Sequence, residues 1–471
     1  MAQGSDFNVI VGQRQLFLDD WGMAEMEKLT RTLHQPSKKG AVIRPMPNDS
    51  DLSAIQTRTA PIMDPEKGVW KFWDCSTPNS LHAQKLYCGG YYESTDGLHW
   101  TKPIVGQVEY RGSRQNNYIT FMWQGKHGRS DYVVYDPTDP DPSRRFKAAC
   151  PPAGFGVSPD GINWRALDVP GIPSSDEANF SFDEQGHLFI LTVKRFTDYG
   201  RSVALATSSD FEHWTDHGMI FNSDDLDQEL GRKNIEARLA DPTLHRPVNI
   251  DPAHYKVDVY NMGLFRYEGL YIGTPAMFHS TGPAGNNTDG FHLIQLVSSR
   301  DLKIWNRVAD RKTFIGPSPL GAGAYDKNQI IGPSCPIFRG DELWFYYTGT
   351  KYRSTPEVAD IDTGAICLAV LRRDGFTSLD ADEQEGILLT ERFKLPCGKL
   401  YVNANATKGE LRIEVLGKEG KVLAASSPLT GDLLSGEVQW QTGSVADLRG
   451  QQASLRFTLR SAKLYSYWLE E

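Results

Sequence analysis

The first of five related segments in this chain is Ser94-Thr95-Asp96-Gly97-Leu98-His99-Trp100. Three later copies end at Trp164, Trp214 and Trp305, and a fifth at residues 372–376 has no tryptophan. Each copy follows a run of residues typical of a β-strand. An aspartate in such a turn accepts backbone hydrogen bonds, and glycine tolerates the angles of a tight corner. Recurrence of one strand-and-turn unit indicates a repeat architecture.

A hairpin with a polar or glycine corner precedes each of these turns, as at Asp183-Glu184-Gln185-Gly186 and Arg339-Gly340-Asp341. Each unit therefore contains four strands, which is one blade, and five blades predict a β-propeller. A β-sandwich whose turns are similar by coincidence is the alternative. We assign a structural role to the turn aspartates that precede a tryptophan, namely Asp96, Asp160, Asp210 and Asp301.

The pattern changes near residue 384, beyond which Leu411, Ile413 and Val415 alternate with charged residues. Strands with one buried and one solvated face are typical of antiparallel sheets. We therefore predict an all-β protein with a five-bladed β-propeller catalytic domain at residues 1–384. A small C-terminal β-sandwich follows at residues 385–471. Its sequence shows no row of exposed aromatic residues, which favours a structural brace over a carbohydrate-binding module.

The composition and net charge of the chain disfavour some classes of binding partner. The chain has 471 residues and a net charge of -9, which disfavours nucleic acid and anionic membrane surfaces. No run approaches the length needed to span a bilayer. The first residues lack the features of a signal sequence, so the protein stays in the cell or has lost an export signal. The localisation and the oligomeric state are left open.

Six cysteines are scattered along the chain without a CxxC pair or nearby histidines. This pattern favours free buried thiols over disulfides or a zinc site. Cys75 and Cys88 are the one pair that could face each other across a hairpin.

Three segments, together with the repeated turns, carry a resemblance to a known group of proteins. They are Gln15-Leu16-Phe17-Leu18-Asp19-Asp20, Leu33-His34-Gln35-Pro36 and Gly398-Lys399-Leu400-Tyr401-Val402-Asn403-Ala404. The chain resembles, nearly end to end, a bacterial group of glycosyl hydrolases related to glycoside hydrolase families 32, 43 and 130. The resemblance implies a five-bladed propeller with a C-terminal sandwich. The Trp-Met-Asn-Asp-Pro motif of fructosidases and the Arg-x-His-Gly motif of mannoside phosphorylases are not found.

The resemblance also implies that acidic residues near the starts of the inner strands point into one pocket. Glycosidic cleavage needs two carboxyl groups, one as an acid and one as a base or nucleophile. The candidates at blade starts are Asp51, Asp131, Asp176, Glu177, Asp258 and Asp326. We predict that Asp176 and Asp258 face the sugar and that Glu236, in an insertion after blade three, is the general acid.

Other residues are expected to bind the substrate. They are Asp20, Trp73, Asn179, Arg195, Arg201, Tyr260, Asn261 and Asp326. Trp70, Trp73 and Trp123 could stack on sugar faces, although one of the first two must pack between blades. Arg195, Arg201 and the cations of residues 232–238 favour an acidic glycan, because arginine pairs well with planar or tetrahedral anions.

The sequence therefore predicts a glycoside hydrolase acting on an oligosaccharide or polysaccharide, without a required cofactor. No spacing of residues predicts metal ligands, although related propellers leave room for a structural cation near the axis. Two alternatives remain. A glycoside phosphorylase would need a cationic phosphate site, for which residues 232–238 are the candidate. A glycan-binding propeller would use its carboxylates only for structure.

Overall fold

The computed structural model describes residues 7–123, 125–321, 323–357, 359–396 and 398–471. In this part of the chain, five sheets of four or five strands form the blades of a propeller. A curled sheet of 12 strands occupies the C-terminal part. The prediction of an all-β protein with a five-bladed propeller is therefore confirmed.

Each of the first three blades is an antiparallel sheet of four strands that follow one another along the chain. Blade one contains Ile62–Asp64, Val69–Trp73, Gly89–Ser94 and Tyr118–Ile119. Blade two contains Tyr132–Tyr135, Phe146–Cys150, Gly154–Ser158 and Arg165–Ala166. Blade three contains Ala178–Asp183, Leu188–Thr197, Gly200–Ser208 and Thr215–Phe221. A short hairpin, Phe121–Trp123 with Lys126–Gly128, lies between blades one and two.

The last two blades are larger. Blade four contains Lys256–Tyr267, Leu270–Ala284, Asn287–Ile294, Val297–Ser299 and Asn306–Arg307. Blade five contains Gln329–Ile331, Ile337–Arg339, Glu342–Thr350, Gly364–Arg372 and, from the other end of the chain, Ser37–Ile43. Ser37–Ile43 pairs with Gly364–Arg372 and so completes the last blade with residues that are remote in sequence.

The C-terminal sheet also recruits N-terminal strands. Its strands are Thr377–Ala381, Gly386–Thr390, Phe393–Lys394, Lys399–Leu416, Val422–Ser426, Leu429–Glu437, Trp440–Thr442, Gln452–Arg460 and Ala462–Glu470, joined by Gln15–Leu16, Met23–Glu27 and Thr30–Leu33. The alternating Leu411, Ile413 and Val415 are fully buried in its core. The division at residue 384 stays a prediction, because the sheet takes strands from both sides of it.

Two α-helices are present in the described residues, α1 (Asn79–Ala83) and α2 (Asp225–Ala240). Asp224 and Asp227 start α2 with a reciprocal capping box. Gly231 lets α2 approach blade four, since a Cβ there would lie 2.0 Å from a methyl group of Val257. Short 3-10 helices occur at Pro142–Arg144, Pro252–His254, Val308–Arg311, Lys418–Gly420 and Ala446–Leu448. No helix in the described part of the chain is both long and apolar enough to span a bilayer.

The repeated turns have the structural role that the sequence predicts. In the second copy, Oδ1 of Asp160 accepts hydrogen bonds from the backbone N–H groups of Ile162 and Asn163 at 2.9 and 2.8 Å. The glycine position needs a positive φ, which is 73° at Gly161 and 66° at Phe211 of the third copy. The turn is therefore specified by its serine and aspartate and tolerates a larger residue at the strained position.

The fifth copy differs because its aspartate, Asp374, is fully buried between the propeller and the C-terminal sheet. Its carboxylate contacts Arg14 at 2.6 Å, the hydroxyl of Tyr267 at 2.7 Å and that of Ser466 at 2.6 Å. These contacts link the N-terminal segment, blade four and the last strand through one side chain.

The described cysteines are free thiols, so Cys75 and Cys88 do not form a disulfide. Cys397 lies outside the described residues.

Candidate functional site

Two adjoining hollows lie where the inner strands of the blades begin. The wide hollow has a volume of about 790 Å³ and is built mainly from blades three and four. The narrow hollow, of about 330 Å³, is built from blades one to three. Asp176 lines both of them, and Asp258 lines the wide one. The structure therefore brings the two predicted sugar-facing carboxyl groups to one cavity.

A β-bulge interrupts the first strand of blade four shortly after Asp258. Val259 lies opposite Met277 and Met262 opposite Pro275, so Tyr260 and Asn261 together face a single residue. Such bulges redirect side chains and are common near functional sites. Pro275 has no N–H to donate to the ladder, which fits an interruption at this point.

Asp258 is an enclosed carboxyl group, with its side chain 12% exposed. Both of its oxygens lie 3.1 Å from Nη1 of Arg201. Gly200 keeps space for it, because a Cβ at that position would lie 3.0 Å from Oδ2. Burial raises the pKa of Asp258, and the Arg201 charge opposes this only in part. A carboxyl group of this kind can hold a proton for transfer.

Asp176 has the opposite environment, with a side chain that is 65% exposed. Nζ of Lys194 lies 2.7 Å from its Oδ1. The Lys194 side chain is only 3% exposed and lies over the ring of Tyr260, 3.9 Å from its centroid. Burial lowers the pKa of Lys194, against the charges of Glu177 and Asp176. A buried cation thus holds an accessible carboxylate at the mouth of the hollow.

Glu177 forms a buried ion pair with Arg58 across the axis. Nε and Nη2 of Arg58 donate to the two carboxylate oxygens at 2.6 and 2.7 Å. Below them, Asn179 donates to the hydroxyl of Ser334 at 3.1 Å and accepts from Asn261 at 2.9 Å. Asn179 and Asn261 therefore join blades three, four and five, but both are buried and line neither hollow.

Asp131, one of the acidic residues at the blade starts, lines the narrow hollow. Its Oδ2 accepts from Arg129 at 2.8 Å, whereas Oδ1 has no hydrogen-bond partner among the described residues. Burial raises the pKa of Asp131 against the neighbouring Arg129 charge. Its position directly before the first strand of blade two is the sequence feature that makes it a candidate.

Glu236 is not brought to either hollow. Residues 232–238, in the insertion after blade three, are part of helix α2, where Glu236 lies on the exposed face. Arg238 of the same helix is buried and donates to the backbone oxygens of His245 and Lys327, at 2.9 and 2.6 Å. The helix forms a wall behind the hollow, to which Gln228 contributes a lining side chain.

Arg195 faces away from the wide hollow, although its neighbours Lys194 and Phe196 line it. Successive side chains of a strand point to opposite faces of the sheet. Arg195 instead donates through both terminal nitrogens to Asp216 on the outer strand of blade three. Arg201 lines the wide hollow, and its role in substrate binding stays a prediction.

Three further residues that were expected to bind substrate line neither hollow, namely Trp73, Asp20 and Asp326. Trp73 is buried between blades one and two and donates its indole N–H to the Gly161 oxygen at 2.8 Å, so no ring face is open to a sugar. Asp20 is exposed and pairs with Arg31 of the N-terminal strands.

Asp326 is buried in blade five, where it lies 2.7 Å from Nζ of Lys38 and accepts from the hydroxyl of Tyr347 at 2.7 Å. The Trp123 side chain lies outside the described residues.

The described residues contain no group of three or more His, Cys, Asp or Glu side chains arranged to hold a metal ion. The structural cation near the axis stays an expectation from the sequence resemblance.

No family model matches the chain, and no curated protein does. Solved structures similar to it include a Bacillus subtilis glycoside hydrolase family 43 arabinoxylan arabinofuranohydrolase in complex with cellotetraose, with 11% identity, a TM-score of 0.36, and coverage of 92% of this chain and 99% of that one. The catalytic domain of a Coprinopsis cinerea GH62 α-L-arabinofuranosidase gives 13% identity, a TM-score of 0.40, and coverage of 72% and 97%. A Bombyx mori GH32 β-fructofuranosidase gives 10% identity, a TM-score of 0.36, and coverage of 93% of this chain and 95% of that one. The resemblance to glycoside hydrolases concerns the fold.

Proposed function

We propose that the protein is a glycoside hydrolase that cleaves an oligosaccharide or polysaccharide in the wide hollow. Asp258 is the general acid, and Asp176 is the general base or nucleophile. The observation that carries this proposal is that two carboxyl groups from neighbouring blades line one cavity in unlike environments. Environments that separate the pKa values of two carboxyl groups suit them to the acid and base roles.

The reaction follows from these positions. Protonated Asp258 donates its proton to the glycosidic oxygen as the bond to the anomeric carbon breaks. Asp176 either removes a proton from the attacking water or attacks the anomeric carbon itself. In the second route Asp258, now ionised, takes a proton from the water that breaks the bond between Asp176 and the sugar. Phe196 and Tyr199 line the same cavity and give it aromatic surface beside its charged groups, a combination typical of ligand pockets.

The narrow hollow offers a second pair, Asp131 and Glu177, but Glu177 is less suited to the reaction. Both of its oxygens already accept hydrogen bonds from the buried Arg58. Asp176 pairs with the Lys194 ammonium through Oδ1, and its side chain is largely exposed. The Asp176–Asp258 pair is therefore the better candidate.

The test is a screen of the full chain against neutral and acidic aryl glycosides, with and without phosphate. On any substrate that turns over and whose leaving group needs a proton, we expect Asp176→Asn and Asp258→Asn each to lower kcat at least about 100-fold. Asp216→Asn is the matched control, because it removes a carboxylate from the outer strand of blade three, and it should keep full activity. Full activity in either hollow variant contradicts the proposal. Turnover that requires phosphate supports a phosphorylase instead.

A further inference from the structure

Three cationic side chains converge on the ring of Tyr260 beside the wide hollow, whose lining includes Lys194 and Arg201 but neither Tyr260 nor Arg353. Nζ of Lys194 lies 3.9 Å from the centroid of the Tyr260 ring, and the guanidinium carbons of Arg201 and Arg353 lie 5.6 and 5.7 Å from it. The two arginines also lie 5.1 and 5.4 Å from the ring centroid of Phe278. Aromatic faces stabilise cations electrostatically and so allow like charges to gather in a partly buried place.

Two of the three cations at this ring have a carboxylate partner, and Arg353 has none in the part of the chain that the structure describes. Lys194 pairs with Asp176, and Arg201 pairs with Asp258. Within the described residues no carboxylate lies within 4.0 Å of Arg353, whose guanidinium donates to the Thr288 oxygen and to the amide oxygen of Asn287.

The imbalance grows in the proposed reaction. When Asp258 is protonated as the general acid, Arg201 also lacks an anionic partner. Lys256 adds a further cation to the lining of the cavity, and Asp198 adds a further carboxylate.

We propose that the wide hollow binds an acidic sugar residue, with the carboxylate of a uronic acid or a sulfate ester held by Lys194, Arg201 and Arg353. Guanidinium groups match the planar carboxylate and the tetrahedral sulfate with paired N–H donors. Thr288, the backbone partner of Arg353, lines the cavity and links this arginine to it. The inference rests on the proposed function for its substrate, but binding can be measured without turnover.

The experiment is calorimetric titration of the full chain with glucuronate, galacturonate, glucose 6-sulfate and glucose, at low and high salt. We expect at least one acidic sugar to bind at least about tenfold more tightly than glucose, with the advantage reduced by salt. Arg353→Gln should remove most of that advantage, and Arg353→Lys should keep part of it. Arg165→Gln, which neutralises an exposed arginine on the outer strand of blade two, should bind as the wild type does.

Each outcome decides between the two ideas. Equal binding of glucose and every acidic sugar overturns the inference, and so does an acidic preference that persists in both Arg353→Gln and Lys194→Met. Inorganic phosphate that displaces the acidic sugar and accelerates turnover also overturns it. Hydrolysis of neutral glycosides without acidic preference leaves the proposed function standing alone. Arginine-dependent binding of an acidic sugar without hydrolysis of any glycoside leaves this inference standing and refutes the hydrolase.

Discussion

We expect that breaking the buried Arg58–Glu177 ion pair lowers the stability of the protein more than breaking any other single contact at the propeller axis. Its side chains are only 5% and 9% exposed, and two hydrogen bonds of 2.6 and 2.7 Å join them. Arg58→Met removes the cation and leaves Glu177 as a buried charge beside the buried Asp131. Breaking one partner of such a pair costs about 3–5 kcal/mol, because the remaining charge loses its compensation.

The size of the thermal shift follows from the length of the chain. For 471 residues the average entropy of unfolding is about 1 kcal/mol/K, so a loss of about 4 kcal/mol lowers Tm by about 4 °C. The assay is thermal and urea unfolding followed by tryptophan fluorescence. The double variant Arg58→Met with Glu177→Met should recover most of the loss, since no unpaired charge is left.

Two results would refute this reasoning. One is an Arg58→Met variant within about 1 kcal/mol of the wild type, which means that the pair is not effectively desolvated. The other is a double variant as unstable as the single one, which means that packing and not charge pairing dominates at this position.

Three other predictions concern stability and reactivity. Burial lowers the pKa of His279 to about 4, so its contribution to stability is present above pH 6.5 and is lost as the pH falls towards 4. Over that pH range, the free energy of unfolding measured by urea titration should therefore fall by up to about 3 kcal/mol less in His279→Gln than in the wild type. Asp160→Ala should cost about 1–2 kcal/mol in the same assay, because two turn N–H groups lose their acceptor, and no change would contradict the structural role of the turn. Burial raises the pKa of the Cys75, Cys88 and Cys335 thiols to about 12. A Cys397→Ser variant should therefore react with Ellman's reagent at pH 8 only after unfolding. Rapid reaction of the native variant would show that these thiols are accessible.

The blades could be predicted from the sequence because their turns are specified locally. Ser158 and Asp160 make their hydrogen bonds within a few residues of themselves. The completion of blade five by Ser37–Ile43 has no such local basis, since its partner strand lies more than 300 residues away along the chain. Pairing of this kind depends on the whole ring of blades and leaves no pattern in either segment.

The candidate site was predictable in part for the same reason. Asp176 and Asp258 stand at the starts of inner strands, and the propeller brings such positions together. Arg195 was misplaced because the face of a strand residue depends on register, which periodicity alone does not fix. The error at Glu236 was avoidable, since Asp224 and Asp227 form the capping pattern of a helix. Arg353 lies far along the chain from Tyr260, and only the structure brings it there.

The most direct test of the proposed mechanism compares leaving groups in the Asp258→Asn variant. On the sugar that the screen identifies, the wild type should cleave both a dinitrophenyl glycoside and an unactivated disaccharide. The variant should lose at least about 100-fold in kcat on the disaccharide and little on the dinitrophenyl glycoside, whose leaving group needs no proton. The alkaline fall of kcat/KM should disappear with it, because the raised pKa of Asp258 sets that limb in the wild type. Equal losses on both substrates, or an unchanged alkaline limb, would contradict the role of Asp258 as the general acid.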